Sequence, residues 1–223
     1  MRTLASSIDQ IALEQYVFKQ LNTFYPDGII PSIELLSNCV SRSLDRLRLC
    51  FDAINLRYYR RGSDSYFNHL HGDHYASFLY LMSFYAFKQG DEILASKLYL
   101  LNKNMFGIDA FYGIELPSHF IFVHPIGTIL GNATYNDYFV VYQGVTIGST
   151  TKGVYPEFSK GTILYANSSI IGECYTGENF VLAANASMVN QKIDDNSVVL
   201  GAFPQNKILG NRNNLINEYF DIR

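Results

Sequence analysis

From about residue 115 onward, apolar residues recur at every sixth position, not at the three-to-four spacing of a helix. Leu164, Ile170, Thr176, Leu182 and Met188 stand six apart, and Val141 and Ile147 form an earlier pair. Small residues follow at a fixed offset, as with Val145, Ser168, Cys174 and Ala186, and Gly131 precedes Ala133 and Thr134. A repeat of this kind constrains the fold more than composition does. Each unit is too small to bury its own apolar side and must stack on its neighbours. A period of six suits one flat side of a triangular β-solenoid with three sides per turn. Residues 18 apart then lie over one another, as Leu164 and Leu182 or Ala166 and Ala184 would. Gly and Asn suit the corners, where backbone turns left-handed. Thr176 and Phe180 depart from the ideal pattern, and the spacing slips near Tyr135.

The first half reads differently. Ile8, Ile11, Ala12, Gln15 and Val17 begin a stripe at helical spacing, and Tyr25-Pro26-Asp27-Gly28 supplies turn chemistry. Ser32 is a candidate N-cap ahead of Leu35, Leu36, Cys39 and Val40, and a further stretch runs from Ser43 to about Tyr59. Helices are expected over Tyr75–Lys88 and Asp91–Asn102, split by Gln89-Gly90-Asp91. The six arginines from Arg42 to Arg61 alternate with leucines, as on a solvated helix face, with a phosphate or partner patch as the alternative. The expected class is α+β: an all-α domain over 1–112, a parallel β-helix over 113–210, and a tail over 211–223.

Composition excludes several classes. With 223 residues, 48% hydrophobic and 17% charged, and a net charge of −3, the chain suits neither a disordered segment nor a general nucleic-acid binder. No apolar run reaches the ~18 residues of a membrane span. The opening Met1–Gln10 stretch has no apolar core of a secretory signal, and three cysteines are too few for a disulfide framework. The expectation is a reduced, cytoplasmic protein.

The run His124-Pro125-Ile126-Gly127, then Leu130-Gly131-Asn132, then Tyr142 through Gly148, resembles the serine acetyltransferases among the hexapeptide-repeat acyltransferases. Gly161–Ala166, Ile171-Gly172 and Asn179–Ala184 keep that register. Asn196–Pro204 is similar to the closing segment, which normally reads Gly-x-Pro-Ala. The resemblance implies a left-handed coil, acetyl-CoA as co-substrate, no metal, transfer of acetyl to a hydroxyl, and a homotrimer, with a dimer of trimers paired through the helical domain as the alternative assembly. It assigns the general base to His124 and an orienting carboxylate to Glu115. Glu115 stands where the family usually has Asp, about one hexapeptide too close. By the same resemblance, Gly148, Ser149, Ala166, Ala184 and Lys207 would contact coenzyme A. Asp73 and His71 would reach the acceptor from the helical domain, with Tyr142 and Tyr155 beside it.

Two departures bear on the acceptor. The family's Asp directly before the base is Val123 here, and its second site histidine is Tyr155. An ammonium needs an anion, which Val123 does not provide. A sugar hydroxyl of a surface-polysaccharide unit is therefore the expected acceptor, with serine as the alternative. A rival reading comes from His69-Leu70-His71-Gly72-Asp73-His74, a literal match to the metal-binding run of metallo-β-lactamase-type hydrolases. It lacks the preceding apolar strand and the later ligands that motif requires. A carbonic-anhydrase-like zinc cage needs more solenoid histidines than His119 and His124. A non-catalytic scaffold solenoid is the remaining alternative.

Overall fold

The computed structural model describes residues 4–222. Among them are four α-helices followed by a parallel β-solenoid of about five turns. Helix α1 spans Gln10–Phe24, capped by the Asp9 carboxylate, which accepts the Ala12 N–H. Helix α2 is one continuous helix, Ile33–Asp52, capped by the Ser32 hydroxyl, so the two stretches inferred around Ser32 and Ser43 are a single element. Helices α3 (Gly72–Lys88) and α4 (Glu92–Phe106) are separated at Gln89–Asp91, where Asp91 caps α4. Helix α4 ends on left-handed Gly107. The helical half also carries a small three-stranded sheet that periodicity did not foreshadow. Leu4–Ser6 pairs in parallel with Asp64–Phe67, which pairs with Arg60–Arg61.

The solenoid has three faces. The first stacks Asp109–Ala110, Ile129–Leu130, Thr146–Gly148, Ser169–Ile171 and Ser187–Val189. The second stacks Phe120–Val123, Phe139–Tyr142, Thr162–Leu164, Phe180–Leu182 and Ser197–Leu200. The third pairs Tyr175–Thr176 with Lys192–Ile193, and bridges link Thr134, Glu157 and Tyr175. The repeat residues point inward and stack: Ile147, Ile170 and Met188 are in register, as are Val141, Leu164 and Leu182, and all six are fully buried. Off-pattern Thr176 is also buried, and its hydroxyl accepts the Ser159 N–H, which satisfies it there. Asn167, Asn179, Asn185, Asn190 and Asn196 occupy corners at φ of 48° to 59°, where Asn tolerates left-handed backbone.

Both ends of the stack are covered. At the upper end Lys207–Gly210 folds back antiparallel onto Ser197–Leu200. At the lower end α3 packs on Phe120–Val123. The Tyr80 ring meets Phe120 and Phe122 edge-on, and its hydroxyl donates to the Ile114 carbonyl and accepts the Leu116 N–H. The inward row is expected to dominate stability: Leu182→Ala should cost about 2–5 kcal/mol in urea denaturation, by lost burial and a residual cavity.

Candidate active site

The strand Phe120–Val123 ends at a corner, and the corner residue is His124, at φ 47°. A non-glycine residue in this region is uncommon and is held there only by its surroundings. The restraint here is a carboxylate. The His124 backbone N–H donates to Asp73 Oδ1 at 3.0 Å, and the imidazole Nδ1 lies 4.0 Å from the same oxygen. The ring itself projects outward, with 77% of the side chain exposed. Asp73 sits in the first turn of α3 and is buried, so the contact joins the two halves of the chain. Burial pushes its carboxyl pKa up, while His71, His124 and the bond from the His124 N–H pull the other way.

These groups open onto a cavity of about 440 Å³ lined by Leu56, Arg57, Tyr58, Tyr59, His71, Asp73, Ile121, Val123 and His124. Arg57 brings a guanidinium, stacked over the Tyr58 ring at 4.6 Å. A cation, a carboxylate and an imidazole therefore share one cavity. Sequence reasoning missed Arg57, Tyr58 and Tyr59, which lie in a 3-10 turn after α2 with no periodic signal. The arginine cluster is not a solvated face throughout. Arg46 donates to the Leu116 and Pro117 carbonyls, Arg60 donates to the Asp52 and Ile54 carbonyls, and Arg42 covers Tyr85.

The expected site residues divide. Asp73 and His71 are brought to His124. Glu115 is not: its side chain is 72% exposed, pairs with Lys88 at 3.3 Å, and faces a separate cavity beside Arg46 and Asn132. The carboxylate beside the imidazole is Asp73, which corrects the assignment to Glu115. Tyr142 pairs in register with Val123, next to the corner, but its hydroxyl is engaged by Tyr219 at 2.6 Å. Tyr155 lies over Gly131 instead of in the His124 cavity. A Cβ at Gly131 would come within 2.5 Å of the Ile147 carbonyl oxygen and 2.7 Å of the Tyr155 ring, which explains the glycine.

Ala166 and Ala184 lie on the His124 corner, on successive coils above it. Val123 pairs with Tyr142, the Asn167 N–H donates to Gln143, and the Asn185 N–H donates to Ala166. Lys207 pairs with Leu200 at the top of the same face, exposed. Gly148 and Ser149 stand at the far end of the adjoining face, one corner away.

The histidine-rich run is pulled apart. His69 Nδ1 meets the Ser7 hydroxyl at 2.7 Å, and Asp73 turns to His124. His74 is buried among Phe51, Tyr59 and Phe67, with Nδ1 accepting the Asn68 N–H, and His71 stacks on its ring at 4.2 Å. Among the described residues, no group of three or more His, Cys, Asp or Glu side chains is arranged to hold a metal ion. No described helix is long and apolar enough to cross a membrane. Burial lowers the His74 pKa to about 3. The unfolded chain therefore takes up a proton between about pH 6.5 and pH 3 that the folded chain refuses, so stability present above pH 6.5 is lost on acidification. Urea titrations at pH 7.5 and 4.5 should show the wild type losing roughly 2–3 kcal/mol more than His74→Gln.

No protein-family model matches the chain. It is similar to the serine acetyltransferase of Synechococcus elongatus, 27% identical over 103 residues, covering 44% of this chain and 42% of that protein. It is also similar to the serine acetyltransferase of Staphylococcus epidermidis, 26% identical over 131 residues, covering 57% and 61% respectively. The chain thus spans about half the length of the curated relatives it matches. The fold agrees with crystal structures of serine acetyltransferase from Brucella abortus strain S19. One, at 22% identity, has a TM-score of 0.68 over 88% of this chain and 83% of that one. Another, in complex with coenzyme A, has 21% identity and a TM-score of 0.68 over 92% and 83%. In sequence over about half its length, and in fold over nearly all of it, the chain is similar to serine acetyltransferases.

Proposed function

We propose that the protein is an acetyl-CoA-dependent O-acetyltransferase in which His124 is the general base. The observation that carries this reading is an exposed imidazole at a solenoid corner, sharing a cavity with Asp73 and Arg57. A hydroxyl is a weak nucleophile until a base near neutral pKa removes its proton. His124 accepts that proton as the acceptor oxygen attacks the thioester carbonyl, and returns it to the departing thiol sulfur. Asp73 fixes the backbone of His124 and places negative charge beside the imidazolium that forms. Acetyl-CoA, when bound, supplies the activated acyl group. Ala166 and Ala184, small and on the His124 corner, would flank it, with Gly148 and Ser149 on the next corner and Lys207 meeting a phosphate.

The acceptor is best matched by serine. The case for a sugar rested on Val123 leaving an ammonium without an anion. Asp73 supplies that anion from α3, and Arg57 supplies a cation for a carboxylate, which suits a zwitterionic amino acid bearing a hydroxyl. The named activity of the relatives supports the same choice. A saccharide hydroxyl is the second reading, supported by Val123 and by the exposed Tyr58 ring in the cavity wall. Assembly as a homotrimer, with the helical half (1–112) pairing trimers and the solenoid (113–210) building them, belongs to this proposal. Light scattering tests it.

His124→Asn, which keeps a residue tolerant of left-handed backbone, should lower kcat by about 10²–10⁴-fold with an unchanged melting curve. Near-normal turnover would remove the central claim. An acceptor panel with acetyl-CoA should show turnover of serine well above that of sugars, and Asp73→Asn should raise the KM for serine. Efficient transfer to saccharides alone would reinstate the second reading.

A further inference from the structure

The segment after the solenoid does not trail away. It crosses the second face of the stack and then docks on the helical half. Ile216, Tyr219 and Phe220 are all buried, Ile216 against Gly161 and Phe220 edge-on to the Tyr138 ring at 5.2 Å. The three hydroxyls of Tyr142, Tyr219 and Tyr165 form a chain, at 2.6 and 3.4 Å. Beyond Tyr219 the backbone bridges the end of α2. The Asn55 N–H donates to the Tyr219 carbonyl at 2.8 Å, and the Asp221 N–H donates to the Ala53 carbonyl at 2.7 Å. Ile54 and Phe220 face each other across this antiparallel bridge.

What this strap holds matters. The residues directly after Asn55 are Leu56, Arg57, Tyr58 and Tyr59, one wall of the His124 cavity. Arg60 shapes that turn locally, through carbonyls of its own neighbourhood. The strap instead ties the turn to the solenoid. Its anchor is Tyr142, which stands in register beside Val123, immediately before His124. The two walls of the cavity, one from the helical half and one from the first coil, are thus gauged against each other through Tyr219.

We infer that Leu215–Asp221 is a strap that sets the acceptor cavity, and that Tyr219 is a positioning residue for acceptor binding. This rests on the proposed transferase reading and deepens it. Tyr219 bonds closely to Tyr142, next to Val123 and the cavity, at 2.6 Å, and only at 3.4 Å to Tyr165, which precedes Ala166, so its influence should fall more heavily on the acceptor than on acetyl-CoA. A merely structural residue would disturb both substrates alike.

The test uses the full chain with Tyr219→Phe, which keeps the packed ring and loses the hydroxyl chain, and Tyr219→Ala, which loses both. Steady-state kinetics are measured against serine and against acetyl-CoA, with amide hydrogen exchange over residues 53–59. The expected result is a rise in the serine KM of roughly threefold for Phe and tenfold or more for Ala. The acetyl-CoA KM should stay within about twofold, and exchange over 53–59 should quicken in the same order. A serine KM within about twofold of wild type in Tyr219→Phe overturns the inference whatever the exchange shows. An equal rise in both KM values also overturns it. If Tyr219→Ala does not fold, the Phe variant decides. If the wild-type chain transfers acetyl to no acceptor, the transferase reading fails, and exchange alone decides whether the strap orders residues 53–59.

Discussion

Each coil of the solenoid buries its inward row only against the coil above and the coil below. The stack is therefore strong in its middle and exposed at its two ends. The upper end is closed by a hairpin strand from the chain's own continuation. The lower end is closed by α3, through Tyr80 and the paired phenylalanines Phe120 and Phe122. Covering that first coil brings the start of α3 to the corner where the first strand turns. The Asp73–His124 bond is a consequence of capping, and the cavity forms where the cap and the stack meet.

That origin explains the site's mixed parentage. The solenoid contributes an imidazole on a left-handed corner, with a column of small residues rising above it. The helical half contributes the charges: Asp73 from a helix first turn and Arg57 from an irregular turn. Neither half alone encloses the cavity, and the returning segment around Tyr219 is bonded to both.

Much of the fold was legible from the sequence because the signals are local. A six-residue period records which side chains face inward, and Ser32, Asp91 and the asparagines at corners record where backbone must turn. The departures are intelligible too. Thr176 sits in an apolar row because Ser159 offers it an N–H, and Gly131 is glycine because the Ile147 carbonyl and the Tyr155 ring leave no room for a side chain. The small sheet of Leu4–Ser6 with Asp64–Phe67 left no trace, since strands of three and four residues are too short to establish a period.

By itself the sequence determined the solenoid and its inward rows, because a six-residue period records which side chains face inward. His124 is singled out from five histidines through the family resemblance, and its role as base is our proposal. Only the tertiary structure decided which carboxylate stands beside it. Glu115 lies nine residues away along the chain and turns outward to Lys88, while Asp73, 51 residues away, is carried there by α3. The same holds for Arg57 and Tyr219. Their positions depend on how a helical cap and a returning strap close the end of a stack, and that closure is a matter of three-dimensional packing that no local spacing encodes.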